Sequence, residues 1–255
     1  MILAIDIGNT NIVIGCIDGK KCLFVERLST VRTKTELEYA FDVKNVLDIY
    51  HIKRTDIEGG IISSVVPQIT TVAKLAVEKI LKKEVLVVGA GIKTGLNIRI
   101  DNPAQLGSDL VVDSVAGITE YPVPLLIFDM GTANTVCVID KNKNYIGGMI
   151  YPGIGVSLDS LTAHASQLGG ISLEAPEHII WKNTVDCMKS GTIYSAAAAI
   201  DGIIDRLREE VGGEATVIAT GGLAKKIVPY CRRKIILDDN LLLKGLAVIY
   251  RKNRK

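Results

Sequence analysis

Residues 3–17 read LAIDIGNTNIVIGCI, and residues 126–140 read LIFDMGTANTVCVID. Written one above the other without a gap, Asp6 falls on Asp129, Gly8 on Gly131, Asn11 on Asn134 and Val13 on Val136. Each segment is an apolar run, a D-x-G corner with small amide or hydroxyl residues, and a second β-branched run. Each therefore predicts strand, tight turn and strand. The two copies lie 123 residues apart in a chain of 255, so two related halves are the natural architecture. The prolines in Glu120-Tyr121-Pro122-Val123-Pro124 mark the join. The expected domains are 1–120 and 121–255.

A third strand is expected after each hairpin, at KKCLFVERLST (20–30) and NYIGGMIYPG (144–153). Beyond that, helix and strand alternate. Helical spacing covers 35–50, 68–83 and 184–211, with a closing helix over 239–252. In the helix 68–83, Ile69, Val72, Ala76 and Ile80 share one side. Short strands are expected at 59–67, 84–89 and 215–222. Hairpins mixed with strand–helix–strand units predict an α/β fold: two duplicated domains with mixed sheets flanked by helices, and a cleft between them.

Bulk properties remove several function classes. The chain is 48% hydrophobic and 23% charged with a net charge of +2, which argues against a nucleic-acid partner. The one basic cluster, Arg251-Lys252 and Arg254-Lys255, reads as a solvated tail. No apolar run approaches the length needed to span a bilayer, so no membrane partner is expected. The start, MILAIDIG, lacks the basic region of a signal peptide. Five scattered cysteines without a C-x-x-C pair fit a reducing, cytoplasmic setting, with Cys16 and Cys137 in the core. The three histidines are too dispersed for a zinc site.

The first corner is more polar than a hairpin requires, since Asp18-Gly19 already makes an ordinary turn one strand later. Glycine lets backbone N–H groups approach an anion, and Asn and Thr add donors. An aspartate beside phosphates calls for a cation between them. A nucleoside triphosphate with Mg²⁺ meets both conditions. An Asx turn that bonds only its own backbone is the plainer reading, and the in-register second copy weighs against it. Gly221-Gly222, after a strand, offers a close approach to an adenosine.

The motifs continue along the chain: D-x-G-N-T-N at Asp6–Asn11, I-S-S-V-V-P at Ile62–Pro67, N-P-x-x-x-G-x-D at Asn102–Asp109, D-x-G-T-A at Asp129–Ala133, G-G-x-I-x-P-G at Gly147–Gly153, N-T at Asn183-Thr184, and A-T-G-G at Ala219–Gly222. Together they resemble type III pantothenate kinases, within the acetate-kinase, sugar-kinase, Hsp70 and actin superfamily. The resemblance implies actin-like (ribonuclease H-like) domains, ATP-dependent phosphorylation of pantothenate, a homodimer, and a need for K⁺ or NH₄⁺ besides Mg²⁺. It implies that Asp6, Gly8, Asn9, Thr10, Asn11 and Val13 hold the ATP phosphates and Mg²⁺. Asp129 would hold the monovalent cation and Thr132 would contact ATP. Asp109 would be the general base, with Gly107, Ser108, Leu110, Ile100 and Thr184 on the pantothenate side. For Asp109, the plain alternative is a helix N-cap.

Two positions depart from the family pattern. Leu110 stands where an arginine is usual, and family members often carry a tyrosine near Ile100. A leucine offers no charge-assisted bond to a carboxylate, a loss of about 1.5–3 kcal/mol. Three readings follow: a pantothenate kinase with rebuilt acceptor contacts, Arg99 among them; a kinase for another small alcohol; or a nucleotide-binding regulator.

Overall fold

The computed structural model describes residues 1–174 and 176–254; Lys255 of the basic tail lies outside the described residues. The chain forms two compact units. The first holds Met1–Leu96, Asp101–Thr119 and Asn240–Lys255, and the second holds Asn97–Ile100 and Glu120–Asp239.

In the first unit, β1 (Ile2–Ile7), β2 (Asn11–Asp18) and β3 (Lys21–Ser29) form an antiparallel meander. Helix α1 (Glu36–Ile49) follows, opened by a capping box in which the Thr35 and Glu38 side chains each bond the other's backbone N–H. Next come β4 (Gly59–Ser64), α2 (Pro67–Leu81) and β5 (Val85–Val87). The sheet order is β3-β2-β1-β4-β5, with β4 and β5 joining in parallel. The strand expected over 59–67 stops at Ser64 because Pro67 opens α2, where its missing N–H costs nothing. The buried face of α2 is Ile69, Ala73, Ala76, Val77 and Leu81, while Val72 and Ile80 sit at its margin.

The second unit repeats this plan. It is built on β7 (Leu125–Met130), β8 (Ala133–Ile139), β9 (Asn144–Pro152), β10 (Thr216–Thr220) and β11 (Ile236–Leu237). Its order, β11-β10-β7-β8-β9, is the first sheet's order again, extended at one edge by β6 (Asn97–Ile98). Helix α4 (Ile154–His164) follows β9, the 28-residue α5 (Thr184–Val211) precedes β10, and the short α6 (Ala224–Ile227) follows it. Two mixed sheets flanked by helices bear out the duplicated actin-like fold.

Two differences from the sequence expectation are informative. The gapless alignment of the two hairpins holds only to the corner. Asp6 pairs with Val13, but Asp129 pairs with Thr135, so the second turn is one residue shorter. Structurally Asn11 therefore matches Ala133, and Val13 matches Thr135. The exposure patterns of β2 and β8 agree residue by residue in that frame. A one-residue slip would turn each side chain to the wrong face. Second, the closing helix α7 (Leu241–Asn253) packs in the first unit although it lies at the end of the second half. Its Leu241, Leu243, Leu246, Ala247, Ile249 and Tyr250 are buried.

Cys16 and Cys137 are fully buried, as expected, and burial pushes the Cys16 thiol up to about 11. Among the described residues no helix is long and apolar enough to cross a membrane, and no cluster of His, Cys, Asp and Glu forms a ready metal centre.

Candidate active site

Asp6 lies near the end of β1, with Val13 opposite on β2 and Ser63 opposite on β4. The corner that follows is tied down from several sides. The Gly8 N–H donates to the Asn11 carbonyl at 3.0 Å, and the Thr30 N–H donates to the Thr10 carbonyl at 3.0 Å. The Thr30 hydroxyl donates to the Gly8 carbonyl at 2.7 Å. Asn9, Thr10 and Asn11 are exposed at the tip. Arg32 reaches back to Asn9, Nη2 to Oδ1 at 3.2 Å, and sets a cation beside the corner. Thr30 and Arg32 went unremarked in the sequence because they lie outside the repeated segment. Their proximity depends on β3 returning alongside β2.

In the second unit Asp129 occupies the matching place, opposite Thr135 on β8 and Thr220 on β10. Thr132 is exposed at the corner. Gly221 and Gly222 follow β10 directly. Gly221 has φ +92°, and a Cβ there would collide with the Asp129 carboxylate and lie 2.6 Å from the Met130 N and O atoms. The A-T-G-G segment thus passes against the Asp129 corner, a contact only glycine allows. Both corners offer carboxylate and carbonyl oxygen, the donor type that Mg²⁺ and K⁺ take. The residues present therefore fit the cations expected from the sequence.

Asp109 lies in the first turn of α3 (Ser108–Glu120), inside the helix rather than at its N-cap position. Its Oδ1 accepts from the Leu110 N–H at 2.9 Å. Burial pushes its carboxyl above the usual carboxylate range, and the backbone N–H groups of Leu110 and of Asp109 itself pull it back only in part. A carboxylate poised higher than usual takes a proton more readily, as a general base requires. Gly107 makes room for it, since a Cβ there would collide with Asp109 Oδ1. Ser108 turns its hydroxyl inward. It lies 3.0 Å from Ser63 Oγ, accepts from the Ser64 N–H at 3.1 Å and donates to the Ser64 carbonyl at 3.0 Å.

The remaining expected positions lie in the second unit. Thr184 is the first residue of α5, capped by Asn183, whose side chain accepts from the Asp186 N–H at 3.0 Å. It lines a cavity of about 720 Å³ together with Asn134, Tyr151, Leu158, Met188 and Ser195. Helix α4, which supplies Leu158, was not anticipated from the sequence. Ile100 is half-buried just after β6. Arg99 is exposed, its N–H bonded to the Tyr145 carbonyl at 2.8 Å. Burial of Asp140 would raise its carboxyl, but bonds from Asn144 and Asn142, with the nearby Arg99 charge, bring it below the usual range. Arg99 thus has an acidic neighbour within its own unit.

A family model described as "Type III pantothenate kinase" matches residues 2–206. The chain belongs to the type III pantothenate kinase family. A protein of that name from an Exiguobacterium strain is 46% identical over 255 residues, covering all of both chains. One from Bacillus cytotoxicus is 45% identical over 253 residues, covering 99% of this chain and 97% of the relative. Among solved structures, a Campylobacter jejuni protein described as a Baf family transcriptional activator superposes with TM-score 0.58 at 18% identity, covering 98% of each chain. Component A of (R)-2-hydroxyglutaryl-CoA dehydratase from Acidaminococcus fermentans gives 0.57 at 15% identity, covering 97% of this chain and 96% of that one. These distant likenesses establish the fold and carry nothing about activity.

Proposed function

We propose that the protein transfers the terminal phosphoryl group of ATP to the primary hydroxyl of pantothenate, giving 4'-phosphopantothenate on the way to coenzyme A. The observation that carries this reading is the full-length match to type III pantothenate kinases. Phosphoryl transfer asks for positioning and charge neutralisation, with a carboxylate to orient the attacking hydroxyl. Asp109 is assigned that last role, and its raised affinity for a proton supports it.

Asp6 and the Gly8–Asn11 corner are assigned to the ATP phosphates, with Asp6 holding Mg²⁺, and Arg32 adds a positive charge there. Mg²⁺ would neutralise phosphate charge, and a monovalent cation at Asp129 would do the same beside Thr132. Gly107, Leu110, Ile100 and Thr184 are assigned to pantothenate, and the cavity that Thr184 lines supports the assignment of Thr184. A homodimer is part of the proposal. Ile150 and Ile180, 75% and 88% exposed in the second unit, are apolar surface that a partner copy would cover.

The test is phosphopantothenate formation by purified protein with ATP, Mg²⁺ and K⁺, with Asp109→Asn alongside. Product formation that is lost in the variant supports the assignment. ATP binding without product from pantothenate overturns it and favours another small alcohol as acceptor, the reading that Leu110 motivates.

A further inference from the structure

The I-S-S-V-V-P motif has no role in the mechanism above, yet its serines are among the most constrained polar groups of the first unit. Ser63 is completely buried at the end of β4, opposite Asp6. A buried hydroxyl needs a partner, and its partner is Ser108, the residue immediately before Asp109. A serine hydroxyl has one donor and two acceptor positions. The Ser108 proton goes to the Ser64 carbonyl, and one acceptor position takes the Ser64 N–H. The other is left for Ser63, so Ser63 is the donor of that bond. The hydrogen-bonding capacity of Ser108 is then filled within the protein, and its hydroxyl has none left for a substrate. The Ser64 hydroxyl in turn lies 2.8 Å from the Thr70 hydroxyl.

We propose that Ser63 and Ser108 are positioning residues for the reacting carboxylate. The pair fastens the first turn of α3 to the end of β4, and β4 is the strand whose register is shared with Asp6. Two carboxylates that must act on one phosphate group, Asp6 through its cation and Asp109 at the acceptor hydroxyl, are thereby fixed to one rigid frame. Displacement of a reacting group by an ångström is enough to cost about 100-fold in rate. This inference rests on the assignment of Asp109 as the base.

The experiment is steady-state kinetics of Ser63→Ala, Ser108→Ala, the double variant and Asp109→Asn, with kcat expressed per ATP-binding site titrated by calorimetry. Each single serine variant is expected to lose roughly 10- to 100-fold in kcat. KM for ATP and for pantothenate should stay within about 3-fold, and thermal melting within about 5 °C of the parent. The double variant should be no slower than the worse single variant, because either change breaks the same link. If kcat per binding site stays within 2-fold of the parent in Ser108→Ala, or if pantothenate KM rises while kcat holds, the positioning role is wrong. Should Ser63→Ala fail to fold, Ser108→Ala decides by the same criteria. Activity retained in Asp109→Asn would instead remove the base assignment itself, an outcome distinguishable from failure of the serine pair.

Discussion

Asp6 and Ser63 are partners across the parallel pairing of β1 and β4, and Asp129 and Thr220 repeat that relationship on β7 and β10. In both units an acidic residue at a strand end thus has a hydroxyl residue beside it on the next strand. Sequence comparison finds the two aspartates. The neighbouring hydroxyls emerge only when the sheets are assembled, because β4 and β10 are each separated from their partner strand by more than fifty residues.

Asp109→Asn should lower kcat by about 100- to 10,000-fold while ATP binding is retained. Isothermal titration with ATP beside a turnover assay checks this. Loss of ATP affinity in parallel with turnover would place Asp109 on the nucleotide side instead.

The same substitution should stabilise the fold at neutral pH. The carboxyl of Asp109 sits above its ordinary value because burial disfavours the charge. The folded state therefore holds the proton more tightly than the unfolded chain. The stability this contributes is present in acid and is lost as pH rises through the raised value. Asparagine never carries the charge. The melting temperature of Asp109→Asn should exceed that of the parent at pH 7.5, and the gap should close as pH falls toward about 4. A constant gap across that range would contradict the burial argument.

Leu110→Arg should lower the KM for pantothenate by about tenfold or more if that position faces the substrate carboxylate, since one charge-assisted bond contributes about 1.5–3 kcal/mol. KM for ATP should not change. Unchanged pantothenate KM would mean that the acceptor side is built without a contact at this position.

Arg32→Ala should raise the KM for ATP several-fold, with pantothenate KM unaffected, because the exposed guanidinium stands beside the phosphate-facing corner through Asn9. Added salt should weaken ATP binding less in the variant than in the parent.

Gly221→Ala should cost about 3 kcal/mol or more and remove activity. The left-handed backbone and the approach to Asp129 and Met130 leave no room for a methyl group. Chemical denaturation reads the first effect. By contrast, Leu246→Ala, a fully buried change on α7, should cost about 2–5 kcal/mol with little direct effect on either KM.

The sequence determined the elements whose signals are local. The repeated strand–corner–strand, helix α1 within the expected 35–50, and α5 over residues 184–211 depend on periodicity and turn residues a few positions apart. The acidic and glycine residues of both corners were legible for the same reason. Element ends and register were decided later. The second hairpin turn is one residue shorter than a gapless comparison suggests, because the strand must keep its apolar side in the core. The two-residue strands β6 and β11 carry too few residues for any period. Helix α7 joins the first unit because its leucines and Tyr250 complete that unit's core. The environment of Asp109 and the bonds from Ser63 to Ser108 depend on residues about 45 positions apart meeting in space. Local sequence specifies which side chain is available. The desolvation that raises a carboxyl, and the partner that fills a hydroxyl, are set by what the fold packs around it.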